Sequence, residues 1–371
     1  MSAGRCILSV NAGSSSLKLA LFDADSPGRI AGETFGGLDA DERRRDDVLR
    51  GIGEWTERHA GGRGIVAAGH RVVHGGTAYS APVAVDDAVL AELEALVPLA
   101  PLHQPHSIAP IRALRASHPS LPQVACFDTA FHRGRPSSVE RYALPRALFD
   151  AGIRRYGFHG LSYEFVSGRL REVAPELAGG RVVIAHLGAG ASLCAIRDGR
   201  CVDTTMGFST LDGLVMNTRC GSLDPGVVVH LLRDGTRSLA DVEDILYRDS
   251  GLLGVSGLSA DMRELLASDL PAAREAVDCF VLGVARCLGS LVAVLGGLDA
   301  LVFTAGIGEH SAEIRARVCR ASAWTGLLPD DASNAAGGPC ISASGSRVSA
   351  WVIPTDEEAM IAAHVRRLVR R

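Results

Sequence analysis

The stretch VNAGSSSLKLALFD, Val10–Asp23, holds Lys18, the only lysine among 38 Lys and Arg residues. Lysine is a compact point charge that fits beside one phosphoryl oxygen, whereas arginine presents a broad planar fork. Backbone N–H groups of a glycine-serine turn cradle phosphate oxygens, and hydroxyls such as those of Ser14 and Ser16 add donors. The residue types therefore point to a polyphosphate. The bland alternative is an exposed edge-strand lysine, weakened by a chain that otherwise writes its cations as arginine. No G-x-x-x-x-G-K-[ST] occurs, which excludes a P-loop.

Two arginines sit among small residues, Arg71 in GHRVVHGG and Arg219 in MNTRCGSLDPG. A guanidinium fork suits bidentate binding of a carboxylate or phosphate, although a surface ion pair explains an arginine on spacing alone. His159 in RRYGFHG and His186 in AHLGAG read on their own as satisfied core groups more readily than as catalysts. His70, His74, His103 and His106 have no metal-ligand spacing. The carboxylates are placed more tellingly, with Asp128 closing a buried strand and Glu357 opening a helix. Magnesium takes one or two such oxygens plus substrate phosphates, and Asn11 adds an amide oxygen or holds a metal-bound water.

The elements that must position these groups alternate strand and helix. Arg5–Leu8, a turn at 11–15 and an alternating segment from Ser16 to Phe22 read as a hairpin. A second hairpin, VVIAHLGAGASLCAIR, repeats the pattern of strand, small-residue turn, Ser-Leu and strand, and FTAGIGE reads as a third related turn. Asp86 caps a helix expected to run to Leu99, and Val124–Phe127 forms a buried strand. Helical patterns cover Pro271–Leu295 and Glu357–Val369, so the class is α/β, with a boundary expected in DTAFHRGRP. A cleft between two such halves is a usual ligand site.

Composition narrows the partners. Net charge −4 and pI near 6.3 leave no basic face for nucleic acid, and the arginine runs at 43–45 and 366–367 read as solvated helix faces. Nine scattered cysteines without C-x-x-C suit reduced thiols in a cytoplasmic protein. No signal peptide is visible, and the uncharged runs of the most apolar region, 277–306, are too short to span a bilayer of about 20 residues.

The ordered set VNAGSSSLK, GHRVVHGG, PLHQP, FDTAFH, RRYGFHG, HLGAGAS, DTTMGF, TRCGSLDPG, FTAGIGE and PTDEEAMIA closely resembles the acetate and propionate kinase family across nearly the whole chain. The resemblance implies a duplicated ribonuclease-H-like fold, of the actin-like and sugar-kinase-like kind. Its two domains would be 1–132 plus 359–371 and 133–358, with an interdomain active-site cleft and a homodimeric assembly. It implies ATP + acetate ⇌ ADP + acetyl phosphate, with Mg²⁺ or Mn²⁺ at Asn11 and Glu357. By the same resemblance Asp128, His159 and Arg219 are catalytic and Arg71 binds the substrate carboxylate. Val73, Leu102, Phe158 and Thr210 line the acyl pocket. Nucleotide contacts fall on Ser14, Ser16, Lys18, His186, Leu187, Gly188, Ala189, Gly190, Asp261, Met262 and Arg263, and on Gly306, Ile307, Gly308, Glu309 and His310.

The chemistry agrees, because an ionised carboxylate attacks the γ-phosphorus without a general base. Asp128 is then a metal or water organiser and not a proton acceptor. The sequence departs from the family pattern at Ala189 and His310, where Asn is common, at Asn217, where Gly is common, and at Thr210, where Pro is common. Tyr163 stands where a histidine is expected, and the first domain is short. Propionate kinase is one alternative reading. Another class is an actin-like ATPase switch without a carboxylate substrate, which has no need of Arg71 and Arg219. A third is a degenerate regulatory member of the family.

Overall fold

The computed structural model describes residues 4–13, 16–38, 42–233 and 235–369; Ser14 lies outside them. The chain divides into two compact units. Unit 1 comprises Met1–Arg133, His159–Phe165 and Asp356–Arg371; unit 2 comprises Gly134–Phe158 and Val166–Thr355.

Unit 1 is built on β1 (Arg5–Ala12), β2 (Ser16–Asp23), β3 (Arg29–Gly36), β4 (Gly64–Val72), β5 (Val83–Ala84) and β6 (Gln123–Phe127), in the sheet order β3-β2-β1-β4-β6-β5. The β1–β2 pair is the expected hairpin, in register Asn11↔Lys18 and Ala12↔Leu17. Leu17, Leu19 and Leu21 are buried while Lys18 is exposed, as period-two alternation requires. Helices cover both faces. Leu8, Val10, Leu19 and Trp55 pack in one cluster, and Ile7, Phe22, Cys126, Ile361 and Val365 pack in another.

The helix Glu357–Val369 is seated on β4 at Gly69. A Cβ there would lie 2.5 Å from Cγ2 of both Ile361 and Val365. Those two side chains are fully buried, and each such burial contributes about 1.5–3 kcal/mol, so the missing methyl lets the helix lie directly on the strand.

Unit 2 is built on β7 (Arg181–Leu187), β8 (Ala191–Arg197), β9 (Arg200–Thr204), β10 (Ala300–Thr304) and β11 (Ser349–Val352), ordered β11-β10-β7-β8-β9. In both units a hairpin strand lies between its antiparallel partner and a parallel strand: β2-β1-β4 in unit 1, β8-β7-β10 in unit 2. The repeat read from two hairpins is thus a repeat of topology.

Three local expectations shift. The helix capped by Asp86 ends at Ala95, and a 3-10 turn at Val97–Leu99, with Pro98 inside, replaces its last residues. FTAGIGE is not a hairpin turn, because β10 runs straight into the helix Ala305–His310. Arg45 is no purely solvated charge, since its guanidinium donates to the Leu38 carbonyl and contacts His106.

The helix Pro271–Leu295 is, at 25 residues, long and apolar enough to cross a membrane by composition. Its face of Ala276, Phe280, Val284, Leu288 and Leu291 is buried, and the helix packs on β8 and on the helix Gly251–Ser256. None of the nine cysteines is in a disulfide.

Candidate active site

Unit 1 gathers residues from far-apart segments. β4 and β6 run parallel with Val72 opposite Phe127, and the Asp128 N–H donates to the Val72 carbonyl at 3.0 Å. Arg71 and Asp128 thereby leave the ends of neighbouring strands together. Arg71 donates from Nε (3.0 Å) and Nη2 (2.6 Å) to Oδ2 of Asp128, whose residue is fully buried. Oδ1 of Asp128 is enclosed with no hydrogen-bond partner among the described residues. Burial raises the Asp128 carboxyl, the Arg71 guanidinium opposes it, and Glu357 pushes it further upward.

Asn11, 5% exposed at the end of β1, donates from Nδ2 to Oε2 of Glu357 (2.8 Å) and Oε1 of Glu358 (2.7 Å). Glu358 lies 3.6 Å from Arg29, which also pairs with Asp356 at 2.7 Å. Lys18 is the cross-strand partner of Asn11, so the two side chains share one face of the hairpin. Asn11, Glu357 and the unpartnered Asp128 oxygen are hard oxygen donors, and the carboxylates near Arg71 outnumber it. That donor set fits a hard divalent cation.

His159 is one of three described non-glycine residues with positive φ, at 60°. The following N–H, of Gly160, donates to the Asp128 carbonyl at 2.9 Å. A Cβ on Gly160 would lie 2.1 Å from that carbonyl oxygen. Gly160→Ala must therefore push the Asp128 backbone away, and we expect kcat to fall about 10²-fold, the scale of a 1 Å misplacement. Steady-state kinetics, with thermal unfolding as a fold control, checks this; wild-type kcat would show that the contact is not needed.

Val73 is buried, with its N–H on Ser107 Oγ at 3.3 Å; Leu102 is half-buried, and both belong to unit 1. Burial holds His70 and His74 down to about 4, so both are neutral at neutral pH and serve as core groups. Ser16, in β2, is half-buried.

In unit 2 a cavity of about 810 Å³ opens among Gly188, Ala189, Asn217, Asp261, Met262, Arg263, Gly306, Ile307 and His310, with Ser311 to Glu313 along one side. Of the sequence-read nucleotide residues that belong to this unit, His186, Leu187, Gly190, Gly308 and Glu309 are not on its wall. His186 and Leu187 end β7, and Gly190 and Gly188 close the hairpin turn by a 3.2 Å backbone bond. Glu309 is turned to a structural task, its carboxylate accepting from the N–H groups of Ala305 (2.8 Å) and Thr355 (3.1 Å). Asp261 caps the helix Met262–Ala267 and pairs with Arg263 at 2.5 Å; that bond holds its carboxyl below the usual range.

Two residues that hold this wall escaped the sequence reading. Arg315 is 1% exposed and donates to the carbonyls of Gly308 (3.0 Å) and Glu309 (2.8 Å) and to Asn334 Oδ1 (2.8 Å), pinning the short helix after β10. Gly251, at φ 63°, has room for no Cβ, which would lie 2.2 Å from the Met216 carbonyl oxygen and 2.8 Å from that of Arg219. Its signal was only an unremarkable S-G pair. Arg219 in turn donates to the Thr210 carbonyl at 3.1 Å, so the structure brings that pair together. Phe158 and Thr210 are buried within unit 2.

The sequence profile of the acetokinase family matches residues 49–363. The chain belongs to that family. It is 52% identical over 389 residues to the acetate kinase of Rhodopseudomonas palustris strain CGA009, covering 98% of each, and 50% identical over 396 residues to that of Methylocella silvestris, again 98% of each. Among solved structures, Porphyromonas gingivalis acetate kinase superposes with a TM-score of 0.86 at 33% identity, covering 99% of this chain and 100% of that one. A propionate kinase from Francisella tularensis gives 0.85 at 35%, covering 97% and 98%.

Proposed function

We propose that the chain transfers a phosphoryl group reversibly between ATP and acetate, by in-line attack of an acetate oxygen on the γ-phosphorus. It is a kinase with a carboxyl group as acceptor. The observation that carries the site reading is the buried Arg71–Asp128 pair with Asn11 and Glu357 in the same unit. Relatives of about 50% identity bear the acetate kinase name, so the ATPase-switch reading is not favoured.

The acceptor is ionised at neutral pH, its pKa being about 4 to 5, so no residue need remove a proton. The task is to bring an anion against a triphosphate. Asp128 holds Nε and Nη2 of Arg71, which fixes the guanidinium plane; Nη1 also donates a long 3.4 Å bond to the Ala12 carbonyl, and the edge between Nη1 and Nη2 is the one suited to a carboxylate. Arg219 and His159 stabilise charge on the transferring group, and Lys18 holds a nucleotide phosphate. Asn11 and Glu357 would hold magnesium, or manganese, which when bound supplies positive charge against the phosphates. The cavity of unit 2 has the size for a nucleotide.

A homodimer is part of this proposal. Helix Pro225–Arg233 has no buried residue and exposes Val229 and Leu232, three apart on one side, as well as Val227, apolar surface suited to a second copy. Nine cysteines outside any disulfide suit a cytoplasmic, reducing setting.

Acyl phosphate trapped with hydroxylamine, measured on acetate, propionate and butyrate in parallel, tests the reading. The expected order of kcat/KM is acetate, then propionate, then butyrate, with Thr210 setting how far propionate trails. ATP hydrolysis equally fast with and without any carboxylate would sink it.

A further inference from the structure

Gln104 opens the helix Gln104–Ser117 of unit 1, is 0% exposed, and spends its carboxamide entirely on other segments. Oε1 accepts from the His74 N–H at 3.1 Å, and Nε2 donates to the carbonyls of His74 (3.1 Å) and Leu93 (3.2 Å). One side chain pairs both main-chain groups of His74, which takes a group that donates and accepts at once. His74 lies two residues beyond Val72, the end of β4, so no ladder partner serves it there. The amide stands in for a strand.

The neighbouring main chain is pinned as closely. The Val73 N–H donates to Ser107 Oγ at 3.3 Å, that of Gly75 to Thr129 Oγ1 at 3.0 Å, and that of Gly76 to His74 Nδ1 at 2.9 Å. Gln104 and Ser107, three apart on one helix and both buried, therefore clamp Val73 and His74 together. Leu102 is carried by the same helix start, because the N–H groups of His103 and Gln104 both donate to the Ala100 carbonyl, at 3.0 and 2.8 Å. The clamp joins the turn that holds Leu102 to the segment that holds Val73.

We infer that Gln104 is a positioning residue for the acceptor: the length of its side chain sets the spacing of Leu102 from Val73, and with it the acyl chain that is accepted. The inference rests on the reading of Val73 and Leu102 as walls of the acyl pocket. A strut one methylene shorter draws the two walls together, whereas a strut cut loose from Val73 lets them part. In an apolar pocket one methylene of substrate is worth about 10- to 200-fold in kcat/KM, so a small change of spacing is read out strongly.

The test compares kcat/KM for acetate, propionate and butyrate in wild type, Gln104→Asn and Ser107→Ala, with thermal unfolding as a fold control. Gln104→Asn keeps the amide and shortens the strut, and the propionate-to-acetate ratio should fall by about ten-fold. Ser107→Ala removes the partner of the Val73 N–H without shortening anything, and the ratio should rise. KM for ATP should stay put in both. Opposite signs are what a general loss of structure would not produce. A ratio unchanged in both variants, moved the same way in both, or accompanied by an equal rise in KM for ATP would overturn the inference. Should Gln104→Asn fail to fold, Ser107→Ala decides alone, and an unchanged ratio there overturns it. A wild type that uses all three acids equally would instead remove the pocket reading on which the inference rests.

Discussion

Arg219→Ala lowers kcat by about 10³-fold or more and leaves ATP affinity near wild type. The size follows from arginines that stabilise transferring phosphoryl groups, where removal costs about 10³ to 10⁵ in rate. The backbone at 216–219 is held by its own bonds and by Gly251, none of which needs the Arg219 side chain. What alanine removes is a guanidinium whose Nη1 rests on the Thr210 carbonyl. Circular dichroism and thermal unfolding should match wild type while turnover collapses. Full turnover in a folded Arg219→Ala protein would take Arg219 out of the mechanism.

Arg71→Ala is expected to damage stability and activity together, for separable reasons. Removing one member of a buried ion pair costs about 3–5 kcal/mol, because the other is left uncompensated. Here that member is Asp128, fully buried and already with an unpartnered oxygen. Its carboxyl is raised even with Arg71 present, and without Arg71 it rises further. A carboxyl with a raised folded-state pKa binds its proton more tightly folded than unfolded, so stability falls as pH rises through that value. The deficit of Arg71→Ala should therefore narrow in acid and widen toward neutral pH. Adding Asp128→Asn should recover much of the unfolding midpoint and none of the acetate turnover. If the double variant is as unstable as the single one, the uncompensated charge is not the cause.

Much of this was open to reading before any fold was known. Alternation around Leu17, Leu19 and Leu21 marked the hairpin, and a buried run followed by Asp128 marked a strand end. Those signals are local, set by side chains two residues apart. What could not be read is non-local. The Arg71–Asp128 bond follows from parallel pairing of β4 with β6, and Glu358 from the docking of a C-terminal helix on β1. The strand Arg29–Gly36 gave no alternation because it is an edge, largely exposed on both faces. Glycines 306 and 308 imitated a turn, whereas the Glu309 carboxylate, bonding the Ala305 N–H, sets a helix start there.

Gly69 carries the last consequence. It has no functional group and touches none of the reacting atoms, yet the seat of Ile361 and Val365 on its bare backbone sets the height at which Glu357 is delivered. A single added methyl would jack up the whole C-terminal segment like a shim under a beam. In divergence, activity at this locus could be silenced by a conservative replacement that no inventory of reactive side chains would flag.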